Sequence, residues 1–582
     1  MGDFLAGAGL FLAVFAAAAG MLWEPSPRRS TAMLIALALI PALILGDQWH
    51  SAEVSDLRNH LARFAALGVA AAVAVAALTV LFSRRPILLP LAVIAAVPFR
   101  IPIHAGGQEA NLLIPLYLVI AGGVLAVVWR QWEEYRAATP VGDAERGDPR
   151  RAQAANAAEH GGGAFGGRTH GQWVPVVLAA VLVLYALQSV YSEDFSRALQ
   201  NAAFFYVPFA LAFILLADCR WDRRLLALSL SVVAAEALVF VLFGIWEYAA
   251  RHLIWNDEVI KSNDFHRYFR VNSLFWDPNV YGRYLALTIT AMVAALLWTR
   301  SSRLVLWLGA LVAMLWLGLV TTFSQSSFAA LLVGLAALAA LRWSLRWTLA
   351  ACAGSAIAAA AFVLAAGGSL KIDLSTQQKL NKDTSGRANL VSEGIALFGD
   401  RPLWGYGSGS FSVAYQRHRT HSGQLSVSHT EPVTVAAEQG LIGLAAYLAL
   451  LGAAFATLLR GMGELMPGLR GPPSGAAPSA GGAAGPAPAR ADSGARAGGG
   501  PAVTGPAAET LVLRASRAAI LACFVALVAH TMAYAGFLED PLTWVLLSIG
   551  GSLALAPPLT TESGEARPGG EAVAPTPARA PG

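Results

Sequence analysis

The chain has 582 residues, of which 56% are hydrophobic and only 13% charged, far more apolar surface than a soluble domain carries. Its formal net charge is +5, and its arginines are spread through loops rather than gathered with aromatics on one surface, which argues against nucleic-acid binding. The class is therefore an all-α polytopic membrane protein. The apolar runs are long enough to cross about 30 Å of hydrocarbon as helices, and no alternating strand pattern points to a barrel.

In chain order, about fifteen transmembrane helices are predicted, at 4–23, 31–46, 62–82, 86–99, 112–129, 173–191, 201–217, 224–247, 279–298, 304–321, 326–341, 346–366, 432–459, 515–536 and 541–556. The first run follows Asp3 with no basic segment before it, so it reads as a retained span and not a cleaved signal peptide. The weakest is 86–99, which is short and holds Pro86, Pro90 and Pro98. Alternate short connections carry Arg28 and Arg29, Arg84 and Arg85, Arg220 with Arg223 and Arg224, Arg300 and Arg303, and Arg342 with Arg346. The positive-inside rule makes these loops cytoplasmic, so 249–278 and 367–431 are expected to face outward. Segments 131–172 and 461–510, rich in Gly, Ala, Pro and Arg, read as disordered cytoplasmic linkers, and the tail 557–582 reads the same way. Cys219, Cys352 and Cys523 lie far apart, so neither a disulfide framework nor a metal site is expected.

Two outward polar segments carry the candidate chemistry. In 249–278, Asp277 and Asn279 fit a turn that caps the next helix, whereas Arg270 is either an interfacial arginine or a planar fork of donors for a diphosphate. In the large loop, Ser385, Gly386 and Arg387 open an amphipathic helix with Leu390, Ile395 and Leu397 among its apolar positions. Next, Gly405, Gly407 and Gly409 recur at every second position, a spacing that permits tight turns or close approach of backbone to a ligand; Gly407 and Gly409 are candidate substrate contacts. His429 stands where the chain re-enters the membrane, and a neutral imidazole there suits general-base work near pH 7, although a lone histidine is more often structural. His418 and His421 flank basic residues and are weaker candidates.

The ordered set RVNSLFWDPN at 270–279, TFSQSS at 322–327, SGR at 385–387, DRPLWGYGSGSF at 400–411 and HTEPVTVAAEQGLIG at 429–443 resembles the O-antigen ligase and polymerase superfamily. The resemblance covers roughly 86–556, apart from the two linkers; it implies a core of twelve spans with the large loop between the ninth and tenth, and the three helices of 1–85 look like an addition. It also implies a metal-independent glycosyltransferase without a cofactor, in the cytoplasmic (inner) membrane of a bacterium, acting at the outer face. The implied donor is a glycan on undecaprenyl diphosphate, the acceptor a glycan, lipid or protein hydroxyl. By motif, diphosphate binding falls on Arg270 and Arg387, and the base on His429. Asp540 resembles an acidic position near the family's active site, where it either orients His429 or caps the last helix. Two departures stand out: the usual Asn after the histidine is Thr430, and the usual Ser-Arg is Ser324 followed by Gln325.

Two arginines in a partly dehydrated pocket stabilise a departing diphosphate electrostatically, so the chemistry is coherent on physical grounds alone. A ligase and a polymerase share the donor and differ in the acceptor, and these motifs do not separate them. A transporter of lipid-linked glycans is the alternative from another class. It predicts ionisable residues buried at mid-membrane and inverted repeats, and the spans offer chiefly Glu236 and His530.

Overall fold

A computed structural model describes residues 2–49, 55, 60–105, 108–138, 173–265, 268–370, 387–419, 428–465 and 506–555. The bundle is helical, with α1 Gly2–Leu22, α2 Pro27–Asp47, α3 Leu61–Arg84, α4 Leu88–Ala96, α5 Ile114–Ala138, α6 Trp173–Ser189 and α7 Phe195–Ala217. After these come α8 Arg223–Ala250, α9 Asp257–Phe265, α10 Pro278–Trp298, α11 Ser302–Thr322, α12 Gln325–Arg342, α13 Leu345–Leu370, α14 Arg387–Asp400, α15 Phe411–His418, α16 Glu431–Leu459, α17 Pro506–Thr531 and α18 Pro541–Leu555. Among the described residues, eleven helices are long and apolar enough to cross a membrane, and α6 and α18 are shorter apolar helices.

Each predicted span coincides with a helix, with two differences of substance. The segment 86–99 gives only the nine-residue α4, about 14 Å of rise against about 30 Å of hydrocarbon, because Pro98 stops it. It is followed by an antiparallel hairpin, β1 Ile101–Ala105 with β2 Gln108–Leu112, that the apolar pattern did not predict. The expected linker from 131 begins later, since α5 continues to Ala138; 139–172, 466–505 and 556–582 lie outside the described residues.

Local chemistry explains the helix starts. Side chains of Asp222, Asp277, Ser301 and Ser324 accept hydrogen bonds from the first free backbone amides of α8, α10, α11 and α12, satisfying donors that have no partner inside the helix. Proline occupies the first turn of α2, α10 and α16, where its missing N–H costs nothing.

The first two helices pack into the main core: α1 lies on α2, α6 and α7. Arg29, wholly buried, pairs with Asp218 at 2.8 Å and donates from Nε to the carbonyl of Gly20 at 2.9 Å. Because an unpaired charge there is expensive, this contact fixes α2 against the end of α7. Helix α10 is central, buried along most of its length and packed on α8, α11, α12 and α17. One end of the bundle gathers Trp221, Arg223, Arg300 and Arg303 around a common cavity. The start of α10, at the other end, carries Asn279 and Arg283 into a polar cluster.

Candidate active site

Arg270 is positioned by backbone and side chain together. Asn263 clamps its main chain, donating to its carbonyl and accepting from its amide, both at 2.9 Å. Phe323 ends α11 in the left-handed conformation, and Arg270 Nε donates to the carbonyl of Thr322 in that last turn at 3.0 Å. Nη2 donates to Asn279 Oδ1 at 3.2 Å. Burial lowers the Arg270 pKa, the carboxylate of Asp277 opposes this, and the charge of Arg387 acts in the same sense as burial. The last effect places two guanidinium groups from distant segments in one field, an arrangement suited to a dianion.

Asp277 caps α10 through Asn279 N and Val280 N at 2.6 and 3.3 Å, the role its turn predicted. Asn279 does more than cap: its Oδ1 also accepts from Ser324 Oγ at 2.9 Å, and Ser324 Oγ lies 2.8 Å from Ser327 Oγ. His530 Nε2 is 3.2 Å from Ser326 Oγ and 3.4 Å from Ser327 Oγ. The segment TFSQSS thus forms a buried hydroxyl floor behind Arg270, while Gln325, in the place of the family's arginine, is exposed.

His429 has φ of 60°, a conformation that non-glycine residues adopt at a cost and that clusters at functional sites. The surroundings over-determine it. Ser428 Oγ accepts from Thr430 N at 3.1 Å, Thr430 Oγ1 donates to the carbonyl of Met532 at 3.1 Å, and the Glu431 carboxylate accepts from Gly536 N and Phe537 N at 2.6 and 3.2 Å. Thr430 therefore ties the histidine turn to the loop before α18. Burial depresses the His429 pKa, with Arg387 adding to the effect and Asp277 opposing it, and the balance favours the neutral imidazole. Its ring lies 6.3 Å from that of Tyr534, which is 5.8 Å from the ring of His530.

Asp540 accepts from Leu542 N at 3.0 Å, capping α18, and pairs with Arg283 at 2.7 Å with both side chains almost fully buried. Neither oxygen is hydrogen-bonded to His429. The Arg283 guanidinium also sits 6.0 Å from the Tyr534 ring, while its Nε and Nη1, like His530 Nδ1, are buried without a hydrogen-bond partner. Burial lowers the Arg100 pKa against the pull of Asp540, so the turn after α4 reaches the same cluster. Arg283, Arg100, Tyr534 and the bonds of Asn279 to Arg270 and Ser324 are not legible in the sequence. The available signal for Arg283 was an ionisable residue inside an apolar helix.

The glycine segment is held by Glu438. Gly409 N and Phe411 N donate to the Glu438 carboxylate at 2.9 and 3.1 Å, and Gly407 N donates to the Glu438 carbonyl at 2.8 Å. A Cβ on Gly407 would come within 2.2 Å of Ser192 Cα, and one on Gly409 within 2.9 Å of Ala198 N. Close packing of this segment on the kink of α16 at Gly440 and on the ends of α6 and α7 accounts for these glycines. His418 faces Glu193 at 3.4 Å beside Arg417; His421 lies outside the described residues.

Arg270, Arg387 and His429 are thus brought into one electrostatic neighbourhood with Asp277, Arg283, Tyr534 and His530. A comparison with curated proteins finds no match. The family model described as O-antigen ligase matches residues 310–448, a stretch that includes Ser324, Arg387 and His429 but neither Arg270 nor Asp540. With that match on a helical membrane bundle, the chain carries a domain of the O-antigen ligase and polymerase superfamily, whose work is polysaccharide biosynthesis.

Proposed function

We propose that this protein transfers a glycan from an undecaprenyl-diphosphate carrier to an acceptor hydroxyl at the outer face of the cytoplasmic membrane. What supports the reading is that two arginines and a histidine from three remote segments share one field: the charge of Arg387 acts to lower the pKa of both Arg270 and His429. Arg270 and Arg387 grip the diphosphate and neutralise the charge it gains as it leaves. The acceptor hydroxyl attacks C1 of the donor sugar from the opposite face, its proton passes to His429, and the C1–O bond to phosphate breaks with its electron pair on the diphosphate. The anomeric centre is inverted. On this reading neither a metal nor another cofactor takes part.

Whether the acceptor is a lipid or protein, as for a ligase, or another carrier-linked repeat, as for a polymerase, sets the product. The test is transfer by purified protein from a lipid-linked oligosaccharide, with each acceptor class supplied separately and products sized on a gel. Transfer to a lipid or protein acceptor without chain growth supports the ligase; a ladder of repeats supports the polymerase. Lack of transfer to any acceptor, with folded protein and intact donor, would overturn the assignment.

A further inference from the structure

A cavity of about 1040 Å³ runs between α8, α10, α17 and α18. One end lies at Tyr284 and Leu542, one residue beyond Arg283 and two beyond Asp540, next to the polar cluster. From Tyr284 to Trp298 along α10 the rise is about 21 Å. That is enough for a fatty acyl chain, which occupies one leaflet, half of about 30 Å of hydrocarbon. The shaft is apolar, lined by Leu230, Leu287, Ala291, Ala519 and Leu546 among others. The far mouth differs: Arg223, Arg300 and Arg303 surround it, with Trp221 and Trp298 on its walls. Among the described residues, none of these three arginines is in an ion pair.

An apolar shaft of this size cannot be filled by water, which needs polar partners, and in a bilayer the available filler is a lipid chain. The mouth selects the headgroup, because a basic pocket between membrane helices attracts anionic lipid phosphate, and tryptophans sit well at headgroup level. We propose that this cavity is a binding site for an anionic phospholipid of the leaflet opposite the active site. Its phosphate sits among Arg223, Arg300 and Arg303, and one acyl chain fills the shaft. The lipid then packs between the four helices and supports α10, α17 and the start of α18 from below. These elements carry Arg283, His530 and Asp540.

The test is native mass spectrometry of the full-length protein in detergent, with phosphatidylglycerol and phosphatidylcholine of identical chains added in turn. One phosphatidylglycerol should be retained per chain, with a preference of about ten-fold or more over phosphatidylcholine, as three interfacial arginines would give. The triple variant Arg223→Ala, Arg300→Ala, Arg303→Ala should bring the ratio to about one. Ala291→Phe, which fills the shaft and leaves the mouth intact, should lower retention of phosphatidylglycerol several-fold while the helical circular dichroism is unchanged. Equal retention of the two lipids by the parent, a preference that survives the triple variant, or full retention in Ala291→Phe would each overturn the proposal. So would displacement of phosphatidylglycerol by added polyprenyl diphosphate, which would assign the shaft to the donor's tail.

Discussion

Asn279 and Arg270 are joined through a single side-chain oxygen: Oδ1 accepts from Arg270 Nη2 at 3.2 Å and from Ser324 Oγ at 2.9 Å. The guanidinium fork is therefore aimed by a residue that also begins the central helix. Asn279→Ala should raise the donor KM by about ten- to a hundred-fold, the loss of one hydrogen bond to a charged group, with a smaller change in kcat. Asn279→Asp should bind donor more weakly still, because its carboxylate competes with the diphosphate for Arg270. Donor titration of initial rates checks both. A fall in kcat alone would remove Asn279 from donor positioning.

Arg270→Ala and Arg387→Ala should each weaken donor binding and turnover together, by about 2–4 kcal/mol for a desolvated, charge-assisted contact. Lysine at either position should recover only part of this, since it keeps the charge and loses the fork. Donor affinity and single-turnover rate at matched expression are the measurements. Full recovery by lysine would reduce the arginines to a diffuse field.

His429→Ala should leave donor affinity nearly intact and lower turnover by about 10² to 10⁴ fold, as expected for a general base. Because burial and Arg387 depress its pKa, the acidic limb of the rate profile should fall below the ordinary histidine range. Only when the pH drops through the depressed pKa does the base become protonated and activity fall. Arg387→Lys, keeping the like charge, should leave that limb in place, whereas Arg387→Ala should move it upward. A limb that does not move in Arg387→Ala would separate the two residues.

The Arg283–Asp540 pair is almost fully buried, so removing one partner leaves an uncompensated charge. Arg283→Met or Asp540→Asn alone should destabilise by about 3–5 kcal/mol, and the double variant should be more stable than Arg283→Met. Thermal melting in detergent is the readout. Singles that melt like the parent would show that the pair is solvated in the membrane.

The basic loops and the large loop are expected on opposite sides of the membrane. In a background lacking Cys219, Cys352 and Cys523, an impermeant thiol reagent on intact cells should modify a cysteine at Gly423 and spare one at Ser493. Equal labelling would overturn the orientation and with it the outer-face assignment.

The amino-acid sequence by itself determined the membrane class and the position of nearly every helix, because apolar length and capping residues act locally. It also marked Arg270, Arg387 and His429 through short ordered motifs. It read Asp277 correctly as a cap, since that bond spans only two or three residues. The tertiary structure decided the rest. The three prolines of 86–99 marked it as the weakest span, but that α4 has only nine helical residues and is followed by a hairpin was not legible in so apolar a segment. The alternating glycines read equally well as ligand contacts, and only the approach of Ser192 and Glu438 shows what they pack against. Arg283 meeting Asp540, and His530 meeting Ser326, join residues far apart in the chain. Such partners leave no periodicity in either segment, because a buried charge is stabilised by whatever the fold brings to it and not by its neighbours in sequence.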